Sequence, residues 1–149
     1  MNVSEAENHL NVLLTRNYDA EKGFEKAEKE VKNSDLKSFF KENYKKRYQF
    51  GHEIKEMIES LGGNPNKGSS LIADAHRFWM NLKELFAKNS EKAIIKECLR
   101  GEKIIIKDYE KALKSPAIRK DYREQLEEQL EYIRKSKEEL KGMKMAVAS

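Results

Sequence analysis

The sequence predicts an all-α protein, a bundle of four long helices with a shorter helical segment between the second and the third. Apolar residues recur at spacings of three and four in four long segments, the period of one buried helix face. Only 2 prolines and 7 glycines interrupt 149 residues, and 38% of the residues are charged, enough to solvate the outer faces. Since each helix has one apolar stripe, the stripes must be buried against one another.

The first two helices have recognisable ends. Ser4 and Glu7 match a capping box, so the first helix is expected to start there and to run to about Val31. Ser34 can cap the second helix, which should end at Leu61 before a Gly-Gly pair. In the first helix, the residues at spacings of three and four are Val3, Ala6, Leu10, Leu13, Asn17, Ala20, Phe24, Ala27 and Val31. In the second helix, they are Leu36, Phe40, Asn43, Arg47, Phe50, Ile54, Met57 and Leu61.

The last two helices follow the same logic. The Asn89-Ser90 pair is expected to start the third helix, and Ser115-Pro116, a cap followed by proline, is expected to start the fourth. The stripe of the third is Ile95, Leu99, Glu102, Ile106, Tyr109 and Leu113, and that of the fourth is Ile118, Tyr122, Leu126, Gln129, Ile133, Ser136 and Leu140.

The segment between the second and third helices predicts the topology. It begins near Gly68, ends near Lys88 and has a wide apolar face that includes Phe78, Trp79 and Phe86. About 18 helical residues span roughly 27 Å, most of the length of the second helix. The segment can therefore return the chain along the bundle, which makes two short-turn hairpins joined by a helical crossover, the connection of ferritin-like bundles.

Length, charge and composition restrict the function classes. We expect one domain over residues 1–142, with residues 143–149 as a frayed tail. The net charge of +4 is spread over interleaved Lys, Arg and Glu, so no nucleic-acid surface is expected. No apolar run is long enough for a membrane span and the first residues do not resemble a secretory signal. The single cysteine, Cys98, is compatible with a reducing cytoplasm.

Six polar residues interrupt the apolar stripes or border them near mid-helix. Folding the hairpins about Ser34 and Ser115 places Glu21 level with Arg47, Glu102 level with Gln129, and Glu97 level with Arg134, so one polar layer is predicted. Buried polar groups must be paired or bind something, which makes this layer the candidate site. Its members are Asn17, Glu21, Asn43, Arg47, Glu102 and Gln129.

Several short motifs, in this order and spacing, resemble a bacterial ferritin-like family of unknown function, known only as small four-helix-bundle proteins. The resemblance covers about residues 8 to 140. It rests on Leu10, Asp19-Ala-Glu-Lys-Gly-Phe24, Leu36-Lys-Ser-Phe-Phe40, Arg47-Tyr-Gln-Phe-Gly-His-Glu53, Leu61-Gly-Gly63, Ala75-His-Arg-Phe-Trp79, Glu97-Cys-Leu-Arg-Gly-Glu102 and Tyr109. It implies a fold and no particular reaction.

The wider ferritin-like group implies a di-metal oxidase. That centre needs one Glu from each of two helices and a Glu-x-x-His from each of the other two. Glu21 and Glu102 could supply the lone carboxylates, but the second helix offers Arg47 at that height and the fourth offers Gln129 and has no His. A complete site is therefore not expected, and neither a cofactor nor a catalytic residue is assigned.

Two interpretations of the layer stay open. In the first, Arg47 pairs with Glu21 and the amides satisfy the remaining groups, so the protein acts by protein contacts. The crossover aromatics Phe78, Trp79 and Phe86 would then form the surface of a homodimer or of a complex with another protein. In the second, the protein binds iron or manganese, as a single ion or a redox centre, through Glu21 and Glu102, with Glu53 as a further candidate ligand.

Overall fold

The computed structural model describes residues 3–65, 83–88 and 90–147. Residues 83–87 are also helical, and no residue in these ranges is in a β-strand. The predicted all-α class is confirmed. The four long helices are α1 (Val3–Glu30), α2 (Ser34–Ser60), α3 (Glu91–Lys114) and α4 (Lys120–Lys144).

Two helix starts show how local sequence sets the boundaries. The N-cap of α2 is Asn33, one residue before the predicted Ser34, and its side chain accepts a hydrogen bond from the backbone N–H of Leu36 at 2.9 Å. The N-cap of α3 is Ser90, as predicted, and its hydroxyl accepts from the backbone N–H of Ala93 at 3.2 Å. Both caps satisfy backbone donors that have no partner inside the helix.

The four long helices lie at the corners of a square when the bundle is viewed along its axis. α1 packs along α2 and α3, and α4 packs along α3 and α2, so α2 and α3 lie across one diagonal. The Glu91 carboxylate accepts from the backbone N–H groups of Lys32 and Asn33, at 2.5 and 3.1 Å, while Ser115 donates to Glu5. The start of α3 thus meets the end of α1, and these two helices are antiparallel. Since a short turn also makes α1 and α2 antiparallel, α2 and α3 run parallel.

The connection between α2 and α3 joins opposite ends of the bundle. The Asn11 side chain donates to the backbone carbonyl of Asn64 at 3.0 Å, near the start of α1. Glu91 lies beside the end of α1. The connection is therefore a crossover, as the helix lengths predict, and not a turn.

Of the three aromatic residues predicted to form a surface on this crossover, the structure describes one. Phe78 and Trp79 lie outside the described residues. Phe86 belongs to the hydrophobic core and is only 8% exposed, so the prediction that it contributes to an exposed contact surface is wrong. The apolar face of this segment packs inward at that position.

The core fills the space between the four apolar stripes. Phe24 stacks on Phe40 with ring centroids 5.6 Å apart, which fixes the height of α1 relative to α2. Among the described residues, no helix is long and apolar enough to cross a membrane. The largest fully buried side chains are Arg47, Tyr109, Phe40, Leu10, Leu13, Leu14, Leu36, Ile54, Ile58, Ile95 and Leu126.

The turn between α3 and α4 is longer than predicted. Ser115 is the C-cap of α3 and α4 begins at Lys120, so Ser115-Pro116 does not start the fourth helix. The guanidinium of Arg123 explains the difference. It donates to the carbonyls of Leu113, Ser115 and Ile118, the last two at 3.1 and 3.0 Å, and holds the turn as an ordered loop.

This longer turn shifts the register of the hairpin. Gln129 lies beside Tyr109, two turns from the predicted Glu102. Arg134 pairs with Glu110 at 2.8 Å, whereas Glu97 pairs with Arg100 on its own helix. Gln129 is therefore not level with Glu102, and Arg134 is not level with Glu97, so these two predicted heights are wrong.

The C-terminal end of α4 reaches past the predicted boundary between domain and tail. The helix ends at Lys144, so a boundary at residue 143 falls inside its last turn. Met143 and Val147 are partly buried and pack against the core.

Candidate functional site

A buried ion pair lies at the centre of the bundle. Arg47 Nη1 donates to Glu102 Oε1 at 3.0 Å, and Arg47 Nη2 donates to Glu102 Oε2 at 2.5 Å. The two side chains are 0% and 1% exposed. Two parallel N–H···O bonds between a guanidinium and a carboxylate form the strongest class of side-chain pairing in proteins. Each charge is thus neutralised by the other.

The surroundings of the pair are apolar on one side. The guanidinium carbon of Arg47 lies 5.2 Å from the centre of the Phe24 ring, a cation–π contact. Arg47 follows Phe40 and Asn43 on the apolar stripe of α2, and Glu102 occupies the stripe of α3. Because both residues sit in core positions, folding forces the charges together across the diagonal.

A second polar group is centred on Tyr109, two turns after Glu102 along α3. The Asn17 amide donates to the Tyr109 hydroxyl at 2.8 Å, and that hydroxyl donates to Gln129 Oε1 at 2.7 Å. Gln129 Nε2 donates in turn to Glu53 Oε1 at 2.8 Å. This hydrogen-bonded chain takes one residue from each of the four helices, so it fixes their heights relative to one another.

Tyr109 is the member of this chain that sequence analysis missed. It occupies an apolar-stripe position of α3 and was assigned there to packing. Burial raises the pKa of its phenol well above the usual range, so the hydroxyl stays protonated and can donate to Gln129. The sequence does show a tyrosine two turns after Glu102 on the same apolar stripe. That spacing suggests that the Tyr109 hydroxyl is hydrogen-bonded, but it does not identify the partner.

The structure therefore divides the predicted single layer into two. Asn17, Asn43, Arg47, Glu102 and Gln129 are all buried. Arg47 and Glu102 form the ion pair, while Asn17 and Gln129 belong to the chain through Tyr109. Asn43 donates to the Phe39 carbonyl of its own helix at 3.0 Å.

Glu21 does not join either group. It is only partly buried, and the expected bond with Arg47 is replaced by the bond with Glu102. Partial burial raises the pKa of Glu21, and the nearby carboxylate of Glu25 raises it further. The long arginine side chain reaches past the α1–α2 seam, which is why its partner lies on α3.

Glu53 is used as a hydrogen-bond acceptor. One carboxylate oxygen accepts from Gln129 and the other from Gln49, at 2.8 and 3.2 Å. It is partly exposed and lies at the outer end of the hydrogen-bonded chain.

The arrangement does not fit a di-metal centre. Over residues 3–65, 83–88 and 90–147, no cluster of three or more His, Cys, Asp or Glu residues could hold an ion. Both oxygens of Glu102 already accept from Arg47, and that guanidinium would repel a divalent cation. Glu21, Glu53 and Glu102 therefore do not form a common ligand set.

Cys98 on α3 lies in an environment that does not activate its thiol. Burial raises the pKa of the Cys98 thiol well above its usual range, and the neighbouring Glu102 raises it further. A thiol that stays protonated is a poor nucleophile. His52 lies on the outer face of α2, 3.7 Å from Glu56.

Asp19 is the one strongly perturbed carboxylate of α1. Burial raises its pKa to about 6, against the opposing effect of Lys22 and Arg16. Its Oδ2 is buried without a hydrogen-bond partner. Arg16 is itself bonded to Asp108 on α3 at 2.8 Å, so it does not neutralise Asp19 fully.

Comparison with known proteins identifies the family of this chain. None of the curated proteins matches this sequence. A family profile described as a domain of unknown function matches residues 5–115. This range contains all of α2 and α3, all but the first two residues of α1, and the Arg47–Glu102 pair. The chain belongs to this family, Domain of unknown function (DUF2383).

Proposed function

We propose that this protein is a non-enzymatic helical bundle of ferritin-like architecture that works in the cytoplasm through protein contacts, as a homodimer. The observation that carries the proposal is the closed Arg47–Glu102 pair, because it occupies the position where a ferritin-type enzyme needs free carboxylates. The square arrangement of the helices and the crossover between opposite ends support the ferritin-like architecture.

The outer face of α2 supports the contact function. Tyr48 is 53% exposed and lies in the middle of that helix. Its ring stacks with His52 at a centroid distance of 6.2 Å, and Tyr18 of α1 lies close enough for Tyr48 to raise its pKa, after the larger effect of burial. Tyrosines are enriched at the centres of protein interfaces because they bury much area at little entropic cost.

The oligomeric state tests this proposal. Size-exclusion chromatography with light scattering should give twice the chain mass, and Tyr48→Lys should shift the protein towards the monomer. Glu128→Lys, an exposed change on α4, is the matched control and should leave the dimer intact. A strict monomer at high concentration contradicts the dimer. A dimer that survives Tyr48→Lys contradicts the α2 surface.

Metal analysis tests the non-enzymatic part. Protein purified without chelators should contain neither iron nor manganese in stoichiometric amounts. Stoichiometric metal that is lost in Glu21→Ala and in Glu102→Ala would instead establish the metal-binding function. Because Glu102→Ala removes half of a buried ion pair, its helix content is measured by circular dichroism, so that loss of metal is not confused with loss of fold.

A further inference from the structure

The α1–α2 seam contains three buried polar atoms that bond to no protein group. They are Nε of Arg47, Oδ1 of Asn43 and Oδ1 of Asn17, and the three residues are 0%, 2% and 0% exposed. A buried polar atom without a partner destabilises a fold by about 1–3 kcal/mol, so three such atoms in one core call for an explanation.

Contacts between α1 and α2 set the relative heights of the three residues. Asn43 and Arg47 are one turn apart on the same face of α2. Phe24 stacks on Phe40, so in this antiparallel pair Asn17, two turns before Phe24, is level with Arg47, two turns after Phe40. The Arg47 guanidinium lies over Phe24, which places Nε between the height of its own Cα and that of Phe40, the part of the seam that Asn43 occupies.

The orientation of both amides is fixed by their other bonds. Asn43 Nδ2 donates to the Phe39 carbonyl at 3.0 Å. Asn17 Nδ2 donates to the Leu13 carbonyl and to the Tyr109 hydroxyl, both at 2.8 Å. Rotating either amide would bring an oxygen against a carbonyl oxygen. The two free amide atoms are therefore acceptors, and the free guanidinium atom is a donor.

This combination of one donor and two acceptors defines the ligand. A cation would be repelled by Arg47, and an anion would be repelled by the two amide oxygens. A small molecule that accepts one hydrogen bond and donates two satisfies all three atoms, and water does so. Globular proteins contain about one buried water per 27 residues, each with two to four polar partners.

We propose that the α1–α2 seam binds internal water, one molecule or a hydrogen-bonded pair, which accepts from Arg47 Nε and donates to the amide oxygens of Asn43 and Asn17. This water completes the hydrogen bonding of the guanidinium, whose two terminal nitrogens are already bonded to Glu102. The ion pair is then part of a hydrated polar unit inside an otherwise apolar core.

A crystal structure at about 1.5 Å resolution tests the site. The map of the unmodified protein should show a water at hydrogen-bond distance from Arg47 Nε and from Oδ1 of Asn43, with near-full occupancy. Absence of any such peak beside Arg47 Nε overturns the proposal.

A matched variant tests the partner. Asn43→Leu keeps the volume and removes the acceptor, so the peak beside Nε should be lost or strongly reduced. A peak that persists at full occupancy in this variant contradicts the role of Asn43. Should the variant fail to fold, the map of the unmodified protein decides alone.

Discussion

Arg47 of α2 and Glu102 of α3 bond across the diagonal of the bundle, between two parallel helices that do not pack along each other. The main packing contacts of each helix run along the sides of the square. A diagonal pair therefore restrains both hairpins at once, since sliding either one by a turn separates two buried charges. Buried ion pairs contribute little net stability but can select one arrangement over others, and we infer that role here.

The first prediction concerns loss of one partner of this pair. Arg47→Met leaves Glu102 as a buried carboxylate without its counter-charge, and Glu102→Leu leaves the guanidinium in the same position. Each change should lower the free energy of unfolding by about 3–5 kcal/mol in urea titrations.

The double variant Arg47→Met/Glu102→Leu should recover most of that loss, because neither charge remains buried. The exposed pair of Arg134 and Glu110 is the control, and its removal should change stability by less than about 1 kcal/mol. Equal effects of the buried and the exposed changes would mean that the buried pair has no special role.

The second prediction concerns the chain through Tyr109. Tyr109→Phe removes one hydroxyl, which leaves Gln129 Oε1 without its donor and Asn17 with one unbonded N–H. We expect a loss of about 1–3 kcal/mol in the free energy of unfolding. Tyr132→Phe is the matched control, since that hydroxyl is 3.4 Å from Glu42 in an exposed contact. A loss for Tyr109→Phe no larger than for Tyr132→Phe would show that the chain does not stabilise the bundle.

The third prediction concerns the close approach of Gly51 on α2 to Tyr18 on α1. A Cβ at Gly51 would clash with Cε1 of Tyr18, so Gly51→Ala must displace that ring and should destabilise the protein by about 1–3 kcal/mol. A Cβ at Gly142 would have no neighbouring atom within 4 Å, so Gly142→Ala should stabilise α4 by about 0.5–1 kcal/mol. The unfolding temperatures of the two variants should therefore shift in opposite directions from that of the unmodified protein. A shift of both in the same direction would contradict this packing.

The fourth prediction concerns pH. The pKa of Asp19 is about 6 when folded and near 3.8 when unfolded, so the folded state binds its proton more tightly. Its ionisation therefore destabilises the fold above about pH 6, and this penalty is relieved as the pH falls from 6 towards 4. Asp19→Asn should stabilise the protein by about 1 kcal/mol at pH 7.5, after allowance for solvent screening, and the difference should close below pH 4.

The exposed change Glu128→Gln is the control for this titration and should give no pH-dependent difference. A constant advantage of Asp19→Asn between pH 4 and 8 would show that the carboxylate of Asp19 does not titrate in this range.

Much of the fold could be predicted because short-range sequence patterns determine the helices and their ends. The four apolar stripes predict the helices, and Ser90 marks the start of α3 because a serine side chain can accept from the backbone two or three residues later. The crossover follows from lengths alone, since helix rise per residue is constant. The burial of Arg47 and Glu102 follows from their positions in those stripes.

The partners of the buried groups could not be predicted in the same way. Arg47 has a side chain long enough to reach either Glu21 or Glu102, and a helical wheel gives only its direction. The height of Gln129 depends on a loop held by Arg123, a contact between residues that no local pattern connects. Tyr109 was missed because a tyrosine suits an apolar stripe whether or not its hydroxyl is bonded.

The central claim is that a guanidinium, and not a metal, neutralises Glu102 in the middle of the bundle. The most direct measurement is a high-resolution crystal structure of protein grown with iron or manganese, with anomalous diffraction recorded at the metal edge. We predict no anomalous peak beside Glu102 and both of its oxygens bonded to Arg47. Two ions bridged by carboxylates at that position, with the arginine side chain turned away, would contradict the account.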